Sequence, residues 1–442
     1  MSSNTNSQDI MESEISTSIN DIPSIDEYSM EFNRKNIELL NKVIKHVDKD
    51  ESTGLDLFCY IHCEPSDSDI RKQCRGVVFH NDKLVMKGFP YTIEFTEEDN
   101  QTEINEKIVP IFDKCSFYEA YEGSLIRMFH YNGKWFLSTN RKFDAFKSKW
   151  ASKESFGSFF KKALEIEYNS NEKFRSTFSY DPDSDDDIIE RFQTVLDTNK
   201  QYMFLLLNNQ ENRIVSLAPD NPSFFHVGTF INMELDMTDD ICLPYPKRYN
   251  FENIDDLYKC VQYMNYNHFQ GIIVFAPDNL QYKIFNEEYH NLYKVRGNEP
   301  SIKFRYLQVR MNKKYNEMLH FLYPDFHDAF AEYENYIFSI ANDITTSYIE
   351  RFIKKNYVTV PVEEFQVIRE CHTWHLLNRL ENKININKVM EVLNQQPATN
   401  INRMIRKRIV EKNNMSRESV KPEFKEYTSL LTSKKVLVKI IG

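Results

Sequence analysis

At 442 residues, 41% hydrophobic and 14% aromatic, the chain is long enough for two or three domains that each bury a core. No apolar run reaches the roughly 18 residues needed to cross a bilayer, and the N-terminus lacks a signal peptide's basic-then-apolar order, so a cytoplasmic, non-membrane protein is expected. The net charge of −11 hides an asymmetry: residues 301–442 carry 23 Lys+Arg against 16 Asp+Glu, so a local phosphate-tracking surface is not excluded.

Residues 1–27 are rich in Ser, Asn and acidic groups and are expected to form a flexible leader. Phe32, Ile37, Leu40, Val43 and Ile44 predict a first helix between Tyr28 and Val47. Alternating runs then take over. FCYIHC reads as a strand, and its Cys59, His62 and Cys63 have no second ligand pair, so no structural zinc is expected; the seven scattered cysteines suit a reducing compartment. CRGVVFHNDKLVMKGF and SLIRMFHYNGKWFLST read as hairpins around Asn81-Asp82 and Asn132-Gly133. A basic, aromatic helix is expected from Phe143 to about Glu167. The acidic run at residues 179–190 lacks the glycine and terminal glutamate of a calcium loop and reads as solvated. Strands resume in QYMFLLLNNQENRIVSLA, GIIVFAP and QYKIF. Beyond about Arg310, Phe330, Tyr333, Ile337, Ala341, Ile344, Tyr348 and Phe352 keep helical steps. The domain boundary is expected near residues 300–315.

Residues 119–129 read EAYEGSLIRMF. Together with CRGVVF, KWFLSTNRKFDAF, YMFLLLNNQENRIVSL, ICLPYPKRYNF, HFQGIIVF and YKIFNEEYHNLYKV, in that order, they resemble the RNA ligase branch of the covalent nucleotidyltransferases, which includes mRNA capping guanylyltransferases. The resemblance spans roughly residues 70–300. It implies an α+β fold: a nucleotidyltransferase domain of the ATP-grasp-like ligase type with antiparallel sheets over residues 28–305, followed by an all-helical domain over 306–442. In that family a lysine amine attacks the α-phosphate of ATP or GTP, lysines and a carboxylate-held divalent cation meet the developing charge, and a glutamate holds the ribose.

Set against that pattern, Ala120 stands at the nucleophile, Leu206 at the ribose-holding glutamate, Gln270 at the metal-binding glutamate and Phe285 at the second lysine of the last motif. The resemblance therefore implies a degenerate member with no catalytic residue, no metal ligand set and no required cofactor, Mg²⁺ having lost its carboxylate. Arg75, Glu122, Gly123, Ser124, Arg127, Gln270 and Lys283 are the candidate cradle for a purine nucleotide, a cap or an RNA 5′ end. In NRMIRKRIVEK, Arg403, Arg406, Lys407 and Arg408 are candidate RNA-backbone contacts; an amphipathic helix with a solvated face is the plainer reading. The expected function is non-catalytic recognition in mRNA handling or translation, with RNA or nucleotide as partner. Two alternatives stay open: an active ligase or capping-type enzyme carrying an engineered Lys→Ala change at 120, and a protein-binding scaffold whose old pocket is filled core.

Overall fold

The computed structural model describes residues 26–277 and 280–418. The leader expected at residues 1–27 lies outside them except for Asp26 and Glu27. The fold divides into two compact units, residues 1–290 and 291–442, a division inside a helix and ahead of residue 305.

The first unit is built on three sheets. β1 (Ile44–Asp50), β2 (Leu55–Tyr60), β3 (Arg75–His80) and β4 (Lys83–Met86) form an antiparallel meander. β5 (Thr92–Thr96) and β6 (Ser116–Ala120) join a second sheet with β12 (Arg248–Tyr249), β13 (Gly271–Phe275) and β14 (Gln281–Phe285), in the order β12-β6-β13-β14-β5. β7 (Gly123–Tyr131), β8 (Lys134–Ser138), β9 (Lys200–Leu207), β10 (Phe224–Ile231) and β11 (Glu234–Asp236) form the third, in the order β11-β10-β9-β7-β8. All pairings are antiparallel except that of β14 with β5. The α+β class and the sheets follow the sequence reading. Both hairpin turns sit where expected, with Asn81, Asn132 and Gly133 at positive φ.

Four helices in this unit matter for the site: α1 (Arg34–Leu39), α2 (Phe156–Ser170), α3 (Ile254–Gln262) and α4 (Glu287–Arg296), the last of which runs on into the second unit. The helix expected over Tyr28–Val47 is confined to α1, which Asn33 caps; Ile44 instead opens β1, because residues 44–50 pair with β2. The helix expected from Phe143 starts later, at α2, where the Ser155 hydroxyl caps the Ser158 N–H.

Strand alternation distributes the core. Met203, Phe129 and Phe230 of the third sheet meet Tyr118 and Phe275 of the second and Leu57 and Val78 of the first in one cluster. Residues one step along the strands point the other way. Phe117, Ile272, Val274 and Ile284 pack under α3, and Phe204 and Leu206 pack under α2 against Phe160 and Phe224.

The second unit is helical among its described residues: α5 (Ile302–Val309), α6 (Lys313–Leu322), α7 (His327–Tyr348), α8 (Val362–Leu377), α9 (Ile386–Asn394) and α10 (Ala398–Glu418). Phe330, Ile337, Ile340, Ala341, Ile344 and Tyr348 form the buried stripe of α7, which packs against α8, α9 and α10. No described helix is long and apolar enough to cross a membrane.

Candidate functional site

β6 ends at Ala120 directly opposite Gly271 of β13, so nucleophile position and metal-ligand position are neighbours across two strands. The Gln270 N–H donates to the Ala120 carbonyl at 2.7 Å. Gly271 has to be glycine: its φ is +144°, and a Cβ there would lie 2.0 Å from the Ile284 carbonyl oxygen. Position 120 is itself closed, with Ala120 only 4% exposed.

Glu122 is buried and fully engaged. Its Oε1 accepts from the backbone N–H groups of Val215 at 2.6 Å and Ser216 at 2.7 Å, and its Oε2 from that of Ile214 at 2.9 Å. The Tyr289 hydroxyl of α4 donates to the same carboxylate at 2.9 Å and accepts from Gln270 Nε2 at 2.8 Å. Phe285 stacks on the Tyr289 ring at 5.7 Å with planes 8° apart. Gln270, Glu122 and Phe285 are thus tied together by Tyr289, which lies in a motif-bearing segment but gives no sequence signal of this role. The amide at 270 is neutral, and the Glu122 carboxylate is taken up by three backbone donors and the Tyr289 hydroxyl. Among the described residues no group of three or more His, Cys, Asp or Glu side chains is arranged to hold a metal.

A second set of polar groups lies along β5 and β14. Lys283 Nζ pairs with Glu94 at 3.2 Å and sits 5.1 Å over the Phe285 ring. Two residues back on the same strand face, Gln281 Oε1 accepts from the Thr92 hydroxyl at 3.2 Å. Arg75 reaches this group loosely, donating to the Pro90 carbonyl at 3.2 Å and the Thr92 hydroxyl at 3.4 Å. Gln281 is 2% exposed, yet its Nε2 has no hydrogen-bond acceptor. Arg75 and Gln281 thus meet at Thr92, with Lys283 two residues along the same strand face, and the sequence pointed to the two cations only. Gly123 is exposed and Ser124 half-buried at the start of β7.

Three sequence expectations are corrected by the geometry. Arg127 is 0% exposed and donates to the carbonyls of Gly76 and, at 2.6 Å, Thr139, so it braces β3 and cannot reach a ligand. Burial pushes its guanidinium pKa down to about 10. The glycine of CRGVVF makes room for it: a Cβ at Gly76 would lie 2.7 Å from an Arg127 nitrogen. Leu206, which the filled-pocket alternative would place in the old site, points under α2, on the face of the third sheet opposite Met203. Arg408 is held by Glu364 at 2.8 Å, Asp343 at 3.1 Å and Glu411 at 3.3 Å, an internal ion-pair network. Arg403, Arg406 and Lys407 are exposed on α10.

No family model matches the chain. It is similar to the immediate-early protein ICP-46 homolog of Invertebrate iridescent virus 6, with 27% identity over 85% of this chain and 88% of that protein. It is also similar to the "Putative bifunctional polynucleotide kinase/RNA ligase" of Autographa californica nuclear polyhedrosis virus, at 23% identity over 70% of this chain and 42% of that protein. Among solved structures, an archaeal ATP-dependent RNA ligase aligns over 65% of this chain and 70% of its own at 10% identity and a TM-score of 0.37. The motif order read from the sequence resembles that of RNA ligases, and one of the viral relatives carries that name.

Proposed function

We propose that the protein is a non-catalytic, RNA ligase-like protein that recognises a purine nucleotide, a cap or an RNA 5′ end, in mRNA handling or translation in the cytoplasm. The observation that carries the recognition is the convergence of Arg75, Lys283 and the unsatisfied Gln281 amide on one strand face. Arg75 meets only neutral oxygens there and the Gln281 amide has no acceptor, so a phosphate would answer both and compete with Glu94 for Lys283. The loss of catalysis rests on position 120: alanine has no lone pair to attack a phosphate, and Tyr289 holds Glu122 and Gln270 away from any metal. RNA backbone contacts are assigned to Arg403, Arg406 and Lys407.

Thermal shift with ATP, GTP, a cap analogue and 5′-triphosphate RNA tests this reading. A ligand at 100 times its Kd adds about 2.7 kcal/mol. Stabilisation by one of them, lost in Arg75→Ala and Lys283→Ala, supports recognition. No stabilisation by any leaves the scaffold reading, which the internally satisfied Glu122–Tyr289–Gln270 set favours.

A further inference from the structure

At one end of the helical unit, large apolar side chains stand in water. A π-helical turn, Ile349–Ile353, continues α7 and brings Phe352 onto His372 of α8, ring centroids 3.9 Å apart. The turn after α8 folds back on the same end: Asn382 Nδ2 donates to the Trp374 carbonyl at 2.7 Å, and the Asn382 carbonyl lies 2.6 Å from His375 Nδ1. The two segments that meet at the Phe352–His372 stack expose Ile353 (65%), Tyr357 (92%), Leu377 (79%) and Leu380 (86%). Single exposed apolar residues are ordinary, but a cluster of this size marks a contact surface.

The exposed residues are interleaved with cations: Lys355 lies between Ile353 and Tyr357 and Arg379 between Leu377 and Leu380, and among the described residues neither has a salt-bridge partner. Aliphatic side chains stack poorly on bases, so an RNA ligand would leave Ile353, Leu377 and Leu380 unused. What complements the surface is a protein segment that is both aliphatic and acidic. Residues 1–25 have that chemistry: Asp9, Glu12, Glu14 and Asp21, no Lys or Arg, and Ile10, Met11, Ile15, Ile19 and Ile22 between and beside them.

We propose that the Ile353–Tyr357–Leu377–Leu380 surface receives the acidic residue 1–25 segment of a second copy of this chain, so that the protein self-associates through it. Apolar burial supplies most of the attraction, while Lys355 and Arg379 set the charge preference. The inference does not depend on the nucleotide-binding reading of the other unit.

Sedimentation of the full chain over a concentration series is the test, beside Leu377→Glu/Leu380→Glu and a chain lacking residues 1–25. Both leucines are exposed, so the double variant should keep its melting temperature. The expected result is self-association that weakens about tenfold or more in both altered chains. A synthetic peptide of residues 1–25 should dissociate the wild-type assembly, and the same peptide with its four acids changed to Asn or Gln should do so less well. A monomer at every concentration would overturn the proposal. So would an assembly indifferent to both changes, or one dispersed by single-stranded RNA and not by the peptide.

Discussion

The Tyr289 hydroxyl donates to Glu122 at 2.9 Å and accepts from Gln270 Nε2 at 2.8 Å, joining the residues at two motif positions through one phenol. Tyr289→Phe keeps the ring stacked on Phe285 and removes both bonds. It should cost about 1–3 kcal/mol, the usual range for leaving buried polar groups short of a partner. Equilibrium unfolding in urea checks this; an unchanged midpoint would mean the network does not hold the site closed.

Arg127 was an expected ligand contact and is instead a brace. Arg127→Met should destabilise the first unit by about 3 kcal/mol, since the carbonyls of Gly76 and Thr139 lose their donor while a shape-matched apolar chain remains. Ligand affinity of the folded fraction should not change. A variant of normal stability that binds nucleotide poorly would return Arg127 to the pocket.

Within α10 the four basic residues should separate. Arg403→Ala, Arg406→Ala and Lys407→Ala each remove an exposed charge, so each should weaken RNA binding, whatever the sequence, and lower the salt slope by about one. Arg408→Ala should instead cost about 3 kcal/mol of stability, because Glu364, whose side chain is 3% exposed, loses its buried partner. Desolvation already raises the Glu364 pKa, with Arg408 opposing the rise. Removing Arg408 raises it further. The native state then holds a proton that the unfolded chain releases, so the defect should ease as pH falls towards the ordinary glutamate range. Filter binding against salt and unfolding against pH read the two halves separately.

His226 gives the opposite sign in the first unit. It is 6% exposed, accepts or donates at 2.9 Å to the Thr229 hydroxyl, and burial lowers its pKa from 6.5 to about 4. The unfolded chain therefore binds the extra proton between those values. Stability should be fully present above pH 6.5 and fall through the window to about pH 4, by up to about 3 kcal/mol. His226→Gln should flatten that slope in urea unfolding at pH 7 and pH 5.

Much of the fold was legible because periodicity is a local property. Asn132-Gly133 needed positive φ and found it, and the stripe from Phe330 to Tyr348 is buried as its spacing required. What the sequence hid depends on partners far along the chain. Val43 and Ile44 continue a helical spacing, yet β2 draws Ile44 into a strand. Aligning Leu206 with a ribose-holding residue counts positions along the chain, whereas strand alternation decides the face, and that face lies under α2. Arg127 and Arg408 look like any exposed cation until the carbonyls and carboxylates around them are placed. Tyr289 reaches Glu122 and Gln281 reaches Thr92 across 167 and 189 positions of chain.

The site around Ala120 should bind a nucleotide without becoming attached to it. Incubation of the wild-type chain with α-labelled ATP or GTP and Mg²⁺ or Mn²⁺, followed by denaturing electrophoresis, tests it most directly. No label should remain on the protein, because Ala120 offers no nucleophile. A covalent nucleotide adduct would show that the protein transfers nucleotide after all, and mapping its lysine would identify the residue that took over the chemistry.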